Sequence, residues 1–134
     1  MSAGLDGEQL VQAAIRAAGN AWAPYSRFPV GAALLAVDGR IFSGCNVENA
    51  AYPASICAER TALVKAVSEG VRSFRAIAVV TRSGGSPCGH CRQMLYEFAP
   101  EMRVLVATLA GEICYEVGLD ELLPHGFGPD KLGE

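Results

Sequence analysis

The feature that most constrains the fold is the alternation of short apolar runs with segments of helical periodicity. Residues 76–81 and 104–109 are apolar, β-rich runs of the buried-strand type, and residues 88–98 between them read as a helix stopped by Pro100. Upstream, Leu10, Val11, Ala14, Ile15 and Ala18 recur at helical spacing, which predicts an amphipathic helix over about 7–22 that Pro24 prevents from continuing. Two runs, 30–37 and 40–43, flank Asp38-Gly39 and predict a hairpin. Residues 44–55 are polar and irregular, and 57–67 read as a second helix closed by Gly70. A last strand over 113–117 precedes a short helical turn and a tail containing Gly and Pro. The order α-β-β-α-β-α-β-β requires a central sheet with helices packed against it, and no repeat or linker divides residues 1–134 into more than one domain.

Composition narrows the function. At 134 residues and 51% hydrophobic, the chain can bury a core without a disulfide framework. Lys and Arg number 11 against 14 Asp and Glu, and they are scattered singly, which argues against a nucleic-acid partner. No apolar stretch is long enough to span a membrane, and the N-terminus carries Asp6 where a signal peptide needs base, so a cytoplasmic location is expected. Five cysteines, an odd number, point in that compartment to metal ligation or chemistry rather than full disulfide pairing.

Cys88-Gly89-His90-Cys91 follows Pro87 at a loop-to-helix junction, where residues three apart share a helical face and two thiols can hold one ion. A closed structural zinc site would show a second such pair, and none exists. Cys57 also begins a helix. Three thiolates at two helix N-termini leave a tetrahedral zinc with one open position, the pattern of a catalytic site. Glu59, two residues on, can then lie beside that position as a general base without ligating the metal. Three thiolates give the cluster a net negative charge, so helix dipoles and hydrogen bonds from Arg60 or Arg92 to the sulfurs are expected to compensate, Arg60 first.

Cys57-Ala58-Glu59 followed by Pro87-Cys88-x-x-Cys91 resembles the zinc-dependent deaminase signature: a metal-bound Cys or His, a Glu that is not a ligand, and P-C-x-x-C. The segments 25–33, 44–50 and 122–128 extend the resemblance, over nearly the whole chain, to the small homotetrameric cytidine deaminases. The resemblance implies a three-layer α/β/α fold with a mixed sheet of about five strands and one Zn²⁺ per subunit. It also implies hydrolysis of cytidine and 2′-deoxycytidine to uridine and 2′-deoxyuridine in pyrimidine salvage. Glu59 would shuttle protons, Asn46 and Glu48 would hold the ribose hydroxyls, and Phe28 would lie against the pyrimidine. Val47, Ala58, Tyr52 and Phe127 complete the implied substrate contacts, and Tyr25, Tyr52 and Phe127 would stand near the base or near subunit borders, where neighbouring subunits complete each pocket.

Other readings stand beside these. From residue chemistry alone Asn46 and Glu48 are turn residues, Phe28, Tyr25 and Tyr52 are core aromatics, Cys45 and Cys114 are small buried side chains, and Trp22 packs on the sheet. His90 and His125 are expected at the surface. The 82–86 loop is short, a departure that bears on the pocket rim. The rival functions are deamination of a related amino-pyrimidine such as blasticidin S, deamination of a polynucleotide, and a non-enzymatic zinc-binding module.

Overall fold

The structure, a computed structural model, describes residues 5–132; Met1 to Gly4 of the acidic start, and Gly133 and Glu134, lie outside the described residues. Helix α1 (Leu5–Ala18) leads into the hairpin β1 (Gly31–Ala36) and β2 (Ile41–Cys45). A 3-10 turn at Tyr52–Ala54 precedes α2 (Ala58–Ser68) and β3 (Phe74–Thr81). Helix α3 (Gly89–Phe98), β4 (Arg103–Thr108), β5 (Ile113–Gly118), the short α4 (Leu119–Leu122) and a 3-10 turn at Pro129–Leu132 complete the order.

The five strands lie in the order β2-β1-β3-β4-β5. Only β3 and β4 run parallel, and α3 makes the crossover between them. The sheet is mixed, as expected. Strict alternation divides its side chains into two cores. Ala33, Leu35, Ala76, Ala78, Val80, Leu105 and Ala107 face α1. Ala32, Leu34, Ile77, Val79, Val104 and Val106 face α2 and α3. With both faces covered, β3 reads as a nearly continuous apolar run because it has no solvent side.

Two glycines set how closely the layers approach. A Cβ on Gly31 would fall 1.9 Å from the Ala14 carbonyl oxygen of α1, and one on Gly44 would fall 2.6 Å from the Ala62 nitrogen of α2. Each helix therefore rests directly on strand backbone.

Several expectations need correction. Helix α1 ends at Ala18, short of Trp22. Trp22 instead bridges to Val47: its N–H donates to the Asn46 carbonyl at 3.0 Å, and its carbonyl accepts from Glu48 N–H at 2.8 Å. Its ring is 60% exposed rather than packed on the sheet. Cys114 is exposed and Cys45 half-buried, since β5 and β2 are the sheet's edges and carry exposed positions. Tyr25 and Tyr52 are exposed as well, so neither is a core aromatic.

Candidate active site

Cys57 and Cys88 are the residues immediately before α2 and α3, both in extended conformation, and neither spends its side chain on capping the helix. Their backbone carbonyls accept the first helical hydrogen bonds, from Thr61 and Arg92, and both sulfurs stand at the positive ends of two helices. Cys91, on the first turn of α3, is buried beneath them. The Cys57 and Cys88 sulfurs are 3.7 Å apart, and those of Cys88 and Cys91 are 3.5 Å apart. A tetrahedral zinc about 2.3 Å from each sulfur sets them about 3.8 Å apart, close to these two distances, and all three sulfurs lie within 4.8 Å of one another. Among the described residues this is the one group of three such side chains placed to hold a metal.

The electrostatics agree with that geometry. Hydrogen bonds from the Cys91 thiol, Arg60 and the Cys88 thiol draw the Cys57 thiol down to about 5, against the opposing effect of partial burial. Cys91, donating to Cys57 and itself buried, is pushed up. Glu59, at 4% exposure, follows Cys57 into the first turn of α2. Burial pushes its carboxyl up to about 7; the neighbouring Cys57 charge adds to this, while a backbone hydrogen bond and Arg60 oppose it. A carboxyl held near neutrality can take up and release a proton.

Cys57, Cys88, Glu59 and Arg60 line a cavity of about 510 Å³, whose wall includes Phe28, Asn46, Glu48 and Tyr52. Its base is the C-terminal end of β3, through Val79 and Thr81.

Comparison with known proteins identifies the lineage. Residues 6–108 match the model of the cytidine and deoxycytidylate deaminase zinc-binding region. The chain is 51% identical over 131 residues to the cytidine deaminase of Sporosarcina psychrophila, covering 96% of each chain. It is 47% identical over 133 residues to that of Halalkalibacterium halodurans, covering 97% of this chain and 100% of the relative. The chain belongs to the cytidine and deoxycytidylate deaminase family. The solved cytidine deaminase of Burkholderia pseudomallei, 46% identical, superposes with a TM-score of 0.84 over 89% of this chain and 97% of its own.

Within this deaminase the expected site residues divide cleanly. Cys57, Cys88, Glu59, Ala58, Arg60, Phe28, Asn46, Glu48 and Tyr52 all line the one cavity, and Cys91 lies beneath it. Arg60 donates through Nη2 to the Cys57 sulfur at 3.8 Å and to the Ser55 carbonyl at 3.4 Å. Val47 and Phe127 are not among the described residues that line the cavity. Val47 is bonded by its backbone to Ile56 and is itself exposed. Phe127 is 55% exposed, with its carbonyl held by Gln93 Nε2 at 2.8 Å.

Arg92 departs from expectation. Its guanidinium bonds no sulfur; it donates to the Pro87 carbonyl at 2.7 Å, the Leu122 carbonyl at 2.8 Å and Ser86 Oγ at 2.8 Å. It thus clamps the loop carrying Cys88 to the segment after β5.

Asn46 and Glu48 support backbone as well as facing the cavity. The Asn46 amide accepts from Val30 N–H and donates to the Phe28 carbonyl, both at 2.9 Å. Glu48 accepts from Tyr25 N–H at 2.9 Å, Ser26 N–H at 3.1 Å and the Ser26 hydroxyl, and the hydroxyl bond is the main reason its carboxyl is held below the usual range. Each keeps donor or acceptor capacity beyond these bonds. Sequence reasoning missed Thr81, whose hydroxyl accepts from Gly84 N–H at 2.8 Å and Gly85 N–H at 3.0 Å and so fixes the short rim loop. A threonine ending a buried strand before a glycine pair was the available signal. His90, exposed as expected, stands at the cavity's edge.

Proposed function

We propose that this chain hydrolyses the 4-amino group of cytidine and 2′-deoxycytidine, yielding uridine or 2′-deoxyuridine and ammonia, as a single-domain enzyme of pyrimidine salvage. The observation that carries the reading is Glu59, buried on the floor of an aromatic-walled cavity and adjoining a three-sulfur cluster of zinc-binding dimensions.

Cys57, Cys88 and Cys91 would hold the zinc, which when bound supplies Lewis acidity that makes water a nucleophile near neutral pH. Glu59 accepts a proton from the attacking water and delivers it to N3 of the base as the oxygen adds to C4. It then carries the second proton to the amino group, the C4–N bond breaks, ammonia leaves and the C4 carbonyl forms. One water is consumed and one ammonia released. Arg60 withdraws charge from the Cys57 sulfur through its hydrogen bond. Phe28 offers a face for the pyrimidine, while the remaining capacity of Asn46 and Glu48 suits a ribose diol.

The chain works, on this reading, as a cytoplasmic homotetramer in which exposed aromatics such as Tyr52, at 78% exposure, and Phe127 meet neighbouring subunits and complete their pockets. All five cysteines are free, which suits a reducing compartment. No described helix is long and apolar enough to cross a membrane.

The test is direct. Zinc-loaded protein is incubated with cytidine, 2′-deoxycytidine, CMP, cytosine and adenosine while ammonia and ultraviolet absorbance are followed. The two nucleosides are expected to be consumed. A protein that leaves both intact, or that prefers CMP, contradicts the proposal.

A further inference from the structure

The short loop at 82–86 begins with a residue that the chemistry above does not use. Arg82 follows directly on β3, and its guanidinium carbon lies over the Phe28 ring, 5.0 Å from the centroid. The same group donates through Nη1 to the Arg27 carbonyl at 2.8 Å. Arg27 stands at φ 58, in the left-handed region that a side chain disfavours, so its carbonyl is an anchor that the backbone maintains at some cost.

The Phe28 ring belongs to the cavity wall and also meets the Arg82 guanidinium. Phe28 lines the cavity and Arg82 is not among the described residues that do, so the guanidinium meets the ring off the cavity lining. The backbone around the ring is already fixed: Phe28 N–H donates to Ser26 Oγ at 3.1 Å, and its carbonyl accepts from Asn46. Those bonds hold the main chain and leave the tilt of the ring to what lies behind it. Thr81 pins the base of the loop through Gly84 and Gly85, which gives Arg82 a fixed point of departure. A cation on one face also draws π density toward itself, which lessens repulsion between the other face and a stacked base.

We propose that Arg82 is a positioning residue for the substrate base: stacked behind Phe28 and anchored on the Arg27 carbonyl, it presets the ring as a stacking face for an aromatic heterocycle. The inference deepens the nucleoside reading of the cavity and rests on it. Arg82 contacts no reacting atom, so its effect falls on binding and not on proton transfer.

The experiment compares wild type with Arg82→Ala, Arg82→Gln and Arg82→Lys by cytidine kinetics and zinc content, with ¹³C-labelled phenylalanine reporting on the ring in ligand-free protein. Arg82→Ala is expected to raise KM about three- to tenfold, part of the worth of a cation–π contact and a hydrogen bond, with kcat and zinc unchanged. Arg82→Lys should recover part of that loss by restoring the cation, and Arg82→Gln should recover less. The Phe28 ring resonances should shift in Arg82→Ala. An unchanged KM, or losses of kcat and zinc that parallel the rise in KM, overturns the positioning role. If wild type leaves cytidine untouched, the nucleoside reading fails separately, and the ring resonances still decide whether Arg82 sets Phe28: unmoved resonances overturn that too.

Discussion

The two faces of the sheet use the same packing device to different ends. On one face α1 lies against strands rich in alanine, closes onto β1 at Gly31 and leaves a sealed core. On the other, α2 closes onto β2 at Gly44, but α2 and α3 both begin near one end of the sheet and together leave a cavity there. On the proposed mechanism chemistry sits where two helix N-termini converge on a strand end, because those termini carry partial positive charge and unspent side chains. On that reading the α1 face supplies stability.

This contrast can be broken by substitution. The largest effect is expected at Glu59: Glu59→Gln should lower kcat roughly 100- to 10,000-fold with zinc retained, measured by steady-state rates beside metal analysis. Near wild-type turnover in a zinc-replete variant would remove Glu59 from the mechanism. Arg92→Ala, which frees the Cys88 loop from the Leu122 carbonyl, should weaken zinc retention against a chelator about 10-fold or more. Unaltered retention would mean that the clamp does not shape the ligands.

On the sealed face, Gly31→Ala should cost about 1–3 kcal/mol of stability as α1 is pushed from β1, while kcat per folded molecule stays unchanged. Denaturant unfolding beside kinetics measures both, and a kcat loss there would erase the distinction between the faces.

The last effect is a pH dependence of stability in protein stripped of metal. The folded value of Glu59, about 7, lies above its ordinary 4.5, so between those values the folded state binds more protons than the unfolded one and stability falls as pH rises. Glu59→Gln removes that loss. The variant should exceed wild type by on the order of 1–3 kcal/mol at pH 8, and the gap should close near pH 4.5. A gap independent of pH would show that the carboxyl is not held near neutrality.

Much of this was legible in the sequence, for identifiable reasons. Strand and helix order followed from apolar periodicity, and the sulfur trio from spacing at two helix starts, since both depend on local residues. The end of α1 was not legible, because Trp22 is drawn off by partners at 46 and 48, far along the chain. Arg92 was misjudged for the same reason: proximity in sequence suggested the sulfurs, whereas its acceptors include a carbonyl at Leu122 that only the fold brings near. The exposure of Cys114 depends on β5 being a sheet edge, which composition does not encode. The dual use of Asn46, bracing backbone while facing the cavity, likewise requires knowing where Phe28 and Val30 lie.

The most direct test of the account is X-ray absorption at the zinc edge of the purified, zinc-loaded protein. The expected first shell is three sulfurs at about 2.3 Å and one light atom from exchangeable solvent. A fourth sulfur, or a light donor that belongs to the protein and does not exchange, would close the coordination sphere and contradict a hydrolytic site.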